Sequence, residues 1–497
     1  VTDRFDAAVI GAGFGGLGAA LALARAGQRV VLFEAMKEPG GCASSFSKRG
    51  ARYEAGATLF SGFGEGQLFH RLLRDEGLHE RVHVEVLDPM LRLRGPGLEL
   101  DVPPDRAALY ARLAALPGAP ARGLARFAAL QGAVADALWP ALDDPDRLPP
   151  FGPGGLLSHL RRLPGLLRAA RWAGRPLEAA LRSCGVDRFG PFRMMVDALC
   201  QITVQADAAT AEAPVALATL DYPFRGTGHV TGGVGVLAEA LCGAIAARGA
   251  ELRRPERVRA LRPDGRGWRL EARGGAVVAD RVVVNLLPGA LKALLGAGDG
   301  ALPALDRLDA EVAAGWGAVM LYLQVDAAAA ELPGPHHLEL IQRADLPLIE
   351  GNHLFCSVSG ADEPGRAPPG LRTATVSTHL RMGPFRKLPP AAQGERVAEV
   401  QERMRAGLRA LAPGLWAGVR DELTASPRTF ARFTGRPQGL VGGVPRRAGI
   451  GAYAGLWPRA VLPGLWLVGD SVFPGQSTLA TALGGLRTAR AALRSGG

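Results

Sequence analysis

A glycine cluster within the first sixteen residues sets the strongest limit on what this chain can fold into. Residues 5–10 form an apolar run that leads straight into Gly11-Ala12-Gly13-Phe14-Gly15-Gly16 and an alanine-rich stretch of helical composition. A second apolar run, 29–33, ends in Glu34, so the whole reads as strand, turn, helix, strand. In such a unit Gly11 permits the tight turn and Gly13 lets the backbone approach a pyrophosphate. Gly16 lets the helix pack closely on the strand, and the first helical amides point at the phosphates. Glu34 stands 23 residues beyond Gly11, where an acid meets a ribose 2′-hydroxyl and repels a 2′-phosphate. The expected ligand is FAD or NAD, with NADP disfavoured.

The residues after Glu34 and Ala35 choose between the two. Glu38-Pro39-Gly40-Gly41-Cys42-Ala43-Ser44 is a second paired-glycine turn, and Tyr53-Glu54-Ala55-Gly56-Ala57-Thr58-Leu59 comes after it. A nicotinamide dehydrogenase has no use for such a turn. A flavin dinucleotide lies extended and needs a second backbone loop along its pyrophosphate and ring. Far along the chain, Gly464-Leu465-Trp466-Leu467-Val468 reads as a short strand ended by Gly469-Asp470. Residues 477–490 then have helical composition, with Ser477 or Thr478 as cap. The Asp470 carboxylate can take a ribityl hydroxyl. The free amides from Ser477 to Leu479 can face the electron-rich edge of a reduced flavin, so FAD is the expected cofactor.

Further stretches carry a resemblance. They are Thr231-Gly232-Gly233-Val234 with Leu237 and Leu241, Asp362-Glu363-Pro364 with Ala367-Pro368-Pro369-Gly370, and Ser426-Pro427-Arg428-Thr429 with Gly435-Arg436. Together with the paired glycines, Glu34 and the Gly469–Thr478 run, they make the chain resemble the carotenoid desaturase and isomerase family over nearly its whole length. That family includes phytoene desaturases, carotenoid 3′,4′-desaturases, plant-type carotenoid isomerases and retinol saturases, all FAD-dependent. The resemblance implies an α/β fold in which an FAD-binding Rossmann-type domain, of the glutathione reductase and amine oxidase kind, is interwoven with a mixed-sheet and helical domain for substrate and membrane. It also implies that the Val258 backbone meets the adenine. Amine oxidases and prenyl-binding dissociation inhibitors share the cofactor fold, so fold alone does not decide activity. Two departures stand out. Cys42 occupies a place where many relatives have arginine, leaving backbone amides to hold the pyrophosphate, and Asn285 is kept in a run that has lost the acid often found beside it.

The chain has 497 residues, 48% of them hydrophobic, more than one domain usually needs. The expected division is 1–75, 226–300 and 440–497 for the cofactor domain, with 76–225 and 301–439 for the substrate-binding and membrane-association domain. Within these, a helix is expected at 237–247 and strands at 251–254, 268–272, 276–279, 282–287, 318–325 and 372–378. Five cysteines, at 42, 184, 200, 242 and 356, form no CxxC pair, so neither a disulfide framework nor a metal site is expected, and a reducing cytoplasm fits. With the first apolar strand at residue 5, no targeting peptide is expected, and no apolar run reaches the roughly 18 residues of a membrane span. The net charge of +11 comes almost wholly from arginine, since only four lysines occur. With no recognised module and no basic tail, nucleic acid is not an expected partner.

A membrane surface is the better partner for basic charge. Residues 154–183 carry Leu156, Leu160, Leu163 and Leu167 at helical spacing, with Arg161, Arg162, Arg168, Arg171, Arg175 and Trp172 among them. A basic helix with leucine and tryptophan on its other face can lie in an anionic interface, although a helix packed on a core has the same period. Pro164 divides the segment into two short helices. The expected location is cytoplasmic with peripheral membrane contact; the sequence does not specify an oligomeric state.

Desaturation of a polyene sends a hydride to flavin N5 and releases a proton, with no nucleophile required; no GxSxG is present. His379 and His229 are the candidates for the proton step and Arg225 for stabilising developing negative charge. The leading expectation is an FAD-dependent desaturase of a long apolar carotenoid, with the 3′,4′-desaturase branch preferred on Pro474-Gly475-Gln476-Ser477-Thr478. A polyene isomerase or a saturase using reduced FAD competes with it. More distant are an amine oxidase and a non-catalytic lipid carrier, which tends to lose the apparatus that Gly11, Gly13, Gly16, Glu34 and Asp470 retain here.

Overall fold

The computed structural model describes residues 3–152, 154–453 and 455–495; the side chain of Leu156, one of the leucine stripe, lies outside the described set. The opening apolar run is the strand Asp3–Ile10, flanked in parallel by Val30–Phe33 and Gly275–Val284. Glu251–Arg253 extends the sheet beyond the first neighbour and Leu465–Leu467 beyond the second, again in parallel. Register is what matters for function. Ile10 pairs with Val284 and Val284 with Leu467, so the chain leaves these three strands side by side at Gly11, Asn285 and Val468. The carboxyl ends of parallel strands are where open α/β sheets bind ligands.

Sequence patterning splits residues 276–287 into two strands, whereas Gly275–Val284 is one. Its first half pairs antiparallel with Gly267–Ala272 and its second half runs parallel to Leu465–Leu467. Asp280 and Arg281 read as an interruption, but Asp280 is bound by Arg4 and Arg281 donates to the Ala492 carbonyl, so neither charge breaks the strand. The strand ends where Asn285 turns out of the sheet.

Helix Phe14–Arg25 packs against the last helix, Thr478–Arg494, at backbone contact distance. A Cβ at Gly18 would lie 2.3 Å from the Ala482 carbonyl oxygen, and one at Gly485 would lie 2.0 Å from that of Gly15. Ser477 caps the last helix by accepting from the Ala480 amide at 3.0 Å.

The second sheet runs in the order Val419–Ala425, Trp316–Asp326, Leu371–Arg381, His353–Val358, His336–Ile341, Leu91–Gly95 and Leu98–Val102. Trp316–Asp326 is buried on both faces. Val319, Leu321 and Leu323 pack on helix Pro390–Leu411 through Val400, Met404 and Leu408. Ala318, Met320 and Tyr322 point the other way, into a cavity between the sheets. Leu440–Val441 still pair with Trp316–Gly317, two residues past the expected return of the chain at 440. Helices within 106–219 close the cavity from the third side with a core of their own.

The basic segment forms three helices rather than two: Gly155–Leu160, Leu163–Trp172 and Leu177–Cys184. Pro164 lies in the first turn of the second helix, where its missing N–H is not needed, so the breaks fall on either side of that helix. Trp172 packs inward onto the helical core instead of joining the outer leucines. Among the described residues, no helix is long and apolar enough to cross a membrane.

The close crossing of the first and last helices makes a testable demand. Gly485→Ala should cost about 1–3 kcal/mol by overpacking, read as a lower denaturant midpoint. Gly298→Ala, where the new methyl meets nothing within 4 Å, should stay within about 0.5 kcal/mol of the parent.

Candidate active site

Three loops meet at the carboxyl ends of the central strands, and Asn285 lies between them. A Cβ at Gly13 would fall 2.6 Å from Asn285 Nδ2, and one at Gly15 or Gly469 would fall 2.7 or 2.8 Å from its Oδ1. Gly11, with a φ of +95°, likewise approaches the Asn285 carbonyl. Gly16 packs tighter still, its absent Cβ only 1.9 Å from the Gly11 oxygen. The second glycine turn joins this assembly directly: Gly13 bridges Gly40, and the Gly40 amide donates to the Ala12 carbonyl at 2.8 Å.

The residues present fit a flavin dinucleotide. Helix Phe14–Arg25 starts at Gly13 with no side-chain cap, leaving its first amides for an anion. Glu34 accepts the Ala12 and Met36 amides, each at 2.8 Å, and still has lone pairs free for hydroxyl donors. Burial pushes its carboxyl up while those amides oppose the rise. One continuous cavity of about 1790 Å³ is lined by Gly11, Gly13, Phe14, Gly15, Glu34, Ala35, Gly40, Gly41, Cys42, Ala43 and Ser44. Ala57, Thr58, Leu59, Val258, Asn285, Gly469, Asp470, Ser477, Thr478 and Leu479 line it too. Gly16 alone of the expected cofactor residues is absent from the wall, in keeping with its role in helix packing.

Sequence reasoning missed one cation. Arg436 donates to Asp470 Oδ2 at 2.6 Å and lies beside the Cys42 thiol, on the cavity wall. The loop that lacks an arginine at 42 therefore has a guanidinium next to it from another segment. Burial pushes the Cys42 thiol up, against the pull of Arg436. The Gly435-Arg436 pair was legible as a motif, but its contact across 34 residues was not.

Of the three candidates for chemistry, only His379 lines the cavity. Its ring meets Trp316 edge-on at 6.0 Å, and burial, aided by His353, pulls the imidazole down to about 4. It is therefore neutral near pH 7.

The other two need correction. His229 Nε2 is bound to Glu363 Oε2 at 2.9 Å, away from the cavity wall. Glu363 also accepts from Gly232 and Gly360, so the pair clamps two loops together. Against the upward push of burial, His229 and Arg366 hold the Glu363 carboxyl at about 2. Arg225 is paired with Asp221 at 2.6 Å and with Asp136, and lies over the Trp139 ring outside the cavity. Residue type drew attention to both, and direction excludes both. Among the described residues, no group of three acids, histidines or cysteines could hold a metal ion.

Away from the cradle the cavity becomes apolar, with Met90, Leu91, Leu138, Leu199 and Ile202 in its walls. It extends to Phe151, His159 and Leu166, which border the basic helices. There Leu157, Leu160 and Leu167 are each 62% exposed and Leu163 47%, with Arg161, Arg168 and Arg171 exposed among them.

Comparison with known proteins matches residues 14–493 to the family of flavin-containing amine oxidoreductases. The chain is 28% identical to a hydroxyneurosporene desaturase of Cereibacter sphaeroides, over 98% of this chain and 97% of that one. It is 25% identical to a chloroplastic prolycopene isomerase of Arabidopsis thaliana, over 98% of this chain and 82% of the relative. In fold it is similar to an oxidoreductase from Methanosarcina mazei, with a TM-score of 0.64 at 18% identity, covering 97% and 99% of the two chains.

The low basicity of His379 sets a pH dependence. Because the folded chain resists protonating this imidazole and the unfolded chain does not, acid favours unfolding. Its contribution to stability is present above about pH 6.5 and lost as pH falls toward about 4. Thermal melts of His379→Gln should accordingly lose less stability across that window than melts of the parent.

Proposed function

The chain belongs to the flavin-containing amine oxidoreductase family and is an FAD-dependent oxidoreductase, and from this we propose that it desaturates a long, apolar carotenoid drawn from a membrane surface. The observation that carries the reading is one cavity that runs from the glycine cradle through apolar walls to His159 and Leu166, on the helices that also carry the exposed leucines. Its volume of about 1790 Å³ exceeds the roughly 300–1,000 Å³ of an ordinary small-molecule site, as a dinucleotide plus an extended hydrocarbon would require. The desaturase and isomerase relatives support the same substrate class.

Bound FAD supplies a hydride acceptor. The chain's own residues do the rest. Gly13, Gly40 and the uncapped start of the first helix would hold the pyrophosphate, Glu34 a ribose, and Asp470, fixed by Arg436, the ribityl chain. The Ser477-capped helix start favours negative charge where Thr478 and Leu479 meet the cavity. Apolar walls exclude water and align the polyene. Of the candidates for the proton step, His379 alone lies on the cavity wall, where it would act as a transient carrier of the proton released from substrate carbon rather than its final acceptor.

The prolycopene isomerase relative favours a second reading, isomerisation under reducing conditions. One experiment separates the two. Purified protein is incubated with carotenoid in liposomes, with and without a reductant, and the absorption spectrum is followed with product analysis. A red shift without reductant is the expected result. A change of geometry alone, dependent on reductant, would transfer the assignment to isomerisation, and no change in any polyene would remove both.

Membrane docking is testable on its own. Replacing Leu157, Leu160, Leu163 and Leu167 together by glutamine should weaken binding to anionic vesicles at least about tenfold, since each leucine removed from the interface loses part of its roughly 1.5–3 kcal/mol of burial. Parent binding should fall with added salt. Equal sedimentation of parent and variant would exclude this face.

A further inference from the structure

A chain of buried polar groups starts on the cavity wall and leads away from it. Thr58, on the wall and 3% exposed, shares a hydrogen bond of 2.6 Å with the Ser357 hydroxyl. Ser357 in turn meets His337 Nδ1 at 2.7 Å. His337 is 1% exposed, and Phe355, which lines the cavity, stacks on its ring at 5.9 Å. Phe355 thus screens the imidazole, and the two hydroxyls connect it to the wall. Burial, aided by His229 and His336, pulls His337 well below its ordinary value, so it is neutral near pH 7 and does not retain a proton.

The chain continues on the far side of the ring. Among the described residues, His337 Nε2 has no hydrogen-bond partner. The His229 ring lies 6.4 Å away, centre to centre, a gap that one bridging water spans. His229 Nε2 binds Glu363 Oε2 at 2.9 Å, and Glu363 stands between Asp362 and Pro364, both exposed. Against burial, His229 and Arg366 keep the Glu363 carboxyl at about 2, a fixed negative charge at the outer end. The other charges beside this pair are Glu54, bound to Arg366 at 3.4 Å, and Glu85, opposite His229 in a two-stranded ladder.

The clamp that His229 and Glu363 form between two loops does not need His337. Thr58, Ser357 and His337 each both accept and donate a proton, and an imidazole buried with one nitrogen open is costly in a purely structural network. His379 shares the same side of the sheet. His379, Ser377 and Thr375 take alternate positions of the strand Leu371–Arg381; the first two line the cavity, and Thr375 pairs with Ser357.

Resting on the proposed desaturation, we propose that Thr58, Ser357 and His337 are positioning residues of a proton path between the cavity and the surface loop of Glu363, and that the proton lost from substrate carbon leaves by it. As hydride passes from one carbon to the cofactor, a C–H bond of the neighbouring carbon breaks. Its electron pair becomes the second bond of the new double bond, and its proton moves to the wall. A hydroxyl that takes a proton passes on its own, Ser357 protonates His337 Nδ1, and Nε2 gives up the proton it held toward His229. The His229–Glu363 pair delivers it to water outside.

Two arms test the path in FAD-loaded protein. In the first, with no polyene, reduced viologen gives the bound flavin electrons without protons, so the proton taken up comes from water and is followed with an indicator dye in weak buffer. The parent should take it up in step with flavin bleaching. In Ser357→Ala and His337→Gln uptake should lag about 10- to 100-fold, within what proton-transferring side chains contribute, with flavin content unmoved. Thr58→Val, of the same shape but without the hydroxyl, should lag likewise, and Thr58→Ser should not. In the second arm an acyclic carotene in liposomes replaces viologen, and the same variants should bleach more slowly, with a solvent deuterium effect larger than the parent's. Prompt proton uptake in Ser357→Ala and His337→Gln overturns the proposal, as does an equal delay in Thr58→Val and Thr58→Ser, which would mark a packing role. A variant-dependent delay with viologen but no reaction of the parent with any polyene would remove the desaturase reading and leave the path standing.

Discussion

The close approach of Asn285 to glycine backbone is the constraint on which the rest of the molecule depends. Gly13, Gly15 and Gly469 come from two ends of the chain, and a side chain at any of them would overlap the Asn285 amide. The Asn285 backbone N–H donates to the Ile10 carbonyl, and the Val468 amide to the Val284 carbonyl, so the three strand ends are tied in one register. Slippage of one strand by one residue would exchange its two faces and put side chains where the cradle needs bare backbone. Sheet register and cofactor geometry are thus a single requirement.

That requirement explains which parts of the molecule were legible in the sequence. Positions where backbone itself must touch a ligand or another strand demand glycine, and an acid at a fixed distance from them completes a local pattern. The cradle from Gly11 to Ser44 and the Gly469-Asp470 turn could be read for this reason. Arg436 could not, because its importance lies in reaching Asp470 and Cys42 from another segment. His229 and Arg225 show the opposite error: the residue types suit chemistry, yet their partners Glu363 and Asp221 turn them away from the cavity. The one misread strand, Gly275–Val284, failed because Asp280 and Arg281 are answered by tertiary partners that local pattern does not contain.

Arginine abundance, which on composition alone suggests a polyanion as partner, includes side chains that work inside the protein: Arg366, Arg372, Arg446 and Arg487 are buried. Arg372 and Arg487 are each at most 1% exposed and gather carbonyl oxygens from surrounding loops. A planar fork with five donors does this better than lysine, and satisfied carbonyls make a buried guanidinium tolerable. What basic charge remains exposed near the leucines is interleaved with apolar side chains, a pattern that suits a headgroup layer better than a nucleic-acid groove.

Arg487 also links the two ends of the cavity. It belongs to the helix Thr478–Arg494, whose first turn forms part of the cofactor site, and it binds the carbonyls of Pro149 and Leu456, which line the outer cavity. Arg490, one turn on, pairs with Asp146 in the same loop. The helix is seventeen residues long and packed at backbone distance against the first helix, so it behaves as a rigid strut. The exposed leucine helices come directly after the loop it holds. Whatever orients those leucines therefore orients the cofactor cradle as well, and the separation between the apolar mouth and the reacting end is set by one helix rather than by flexible connections.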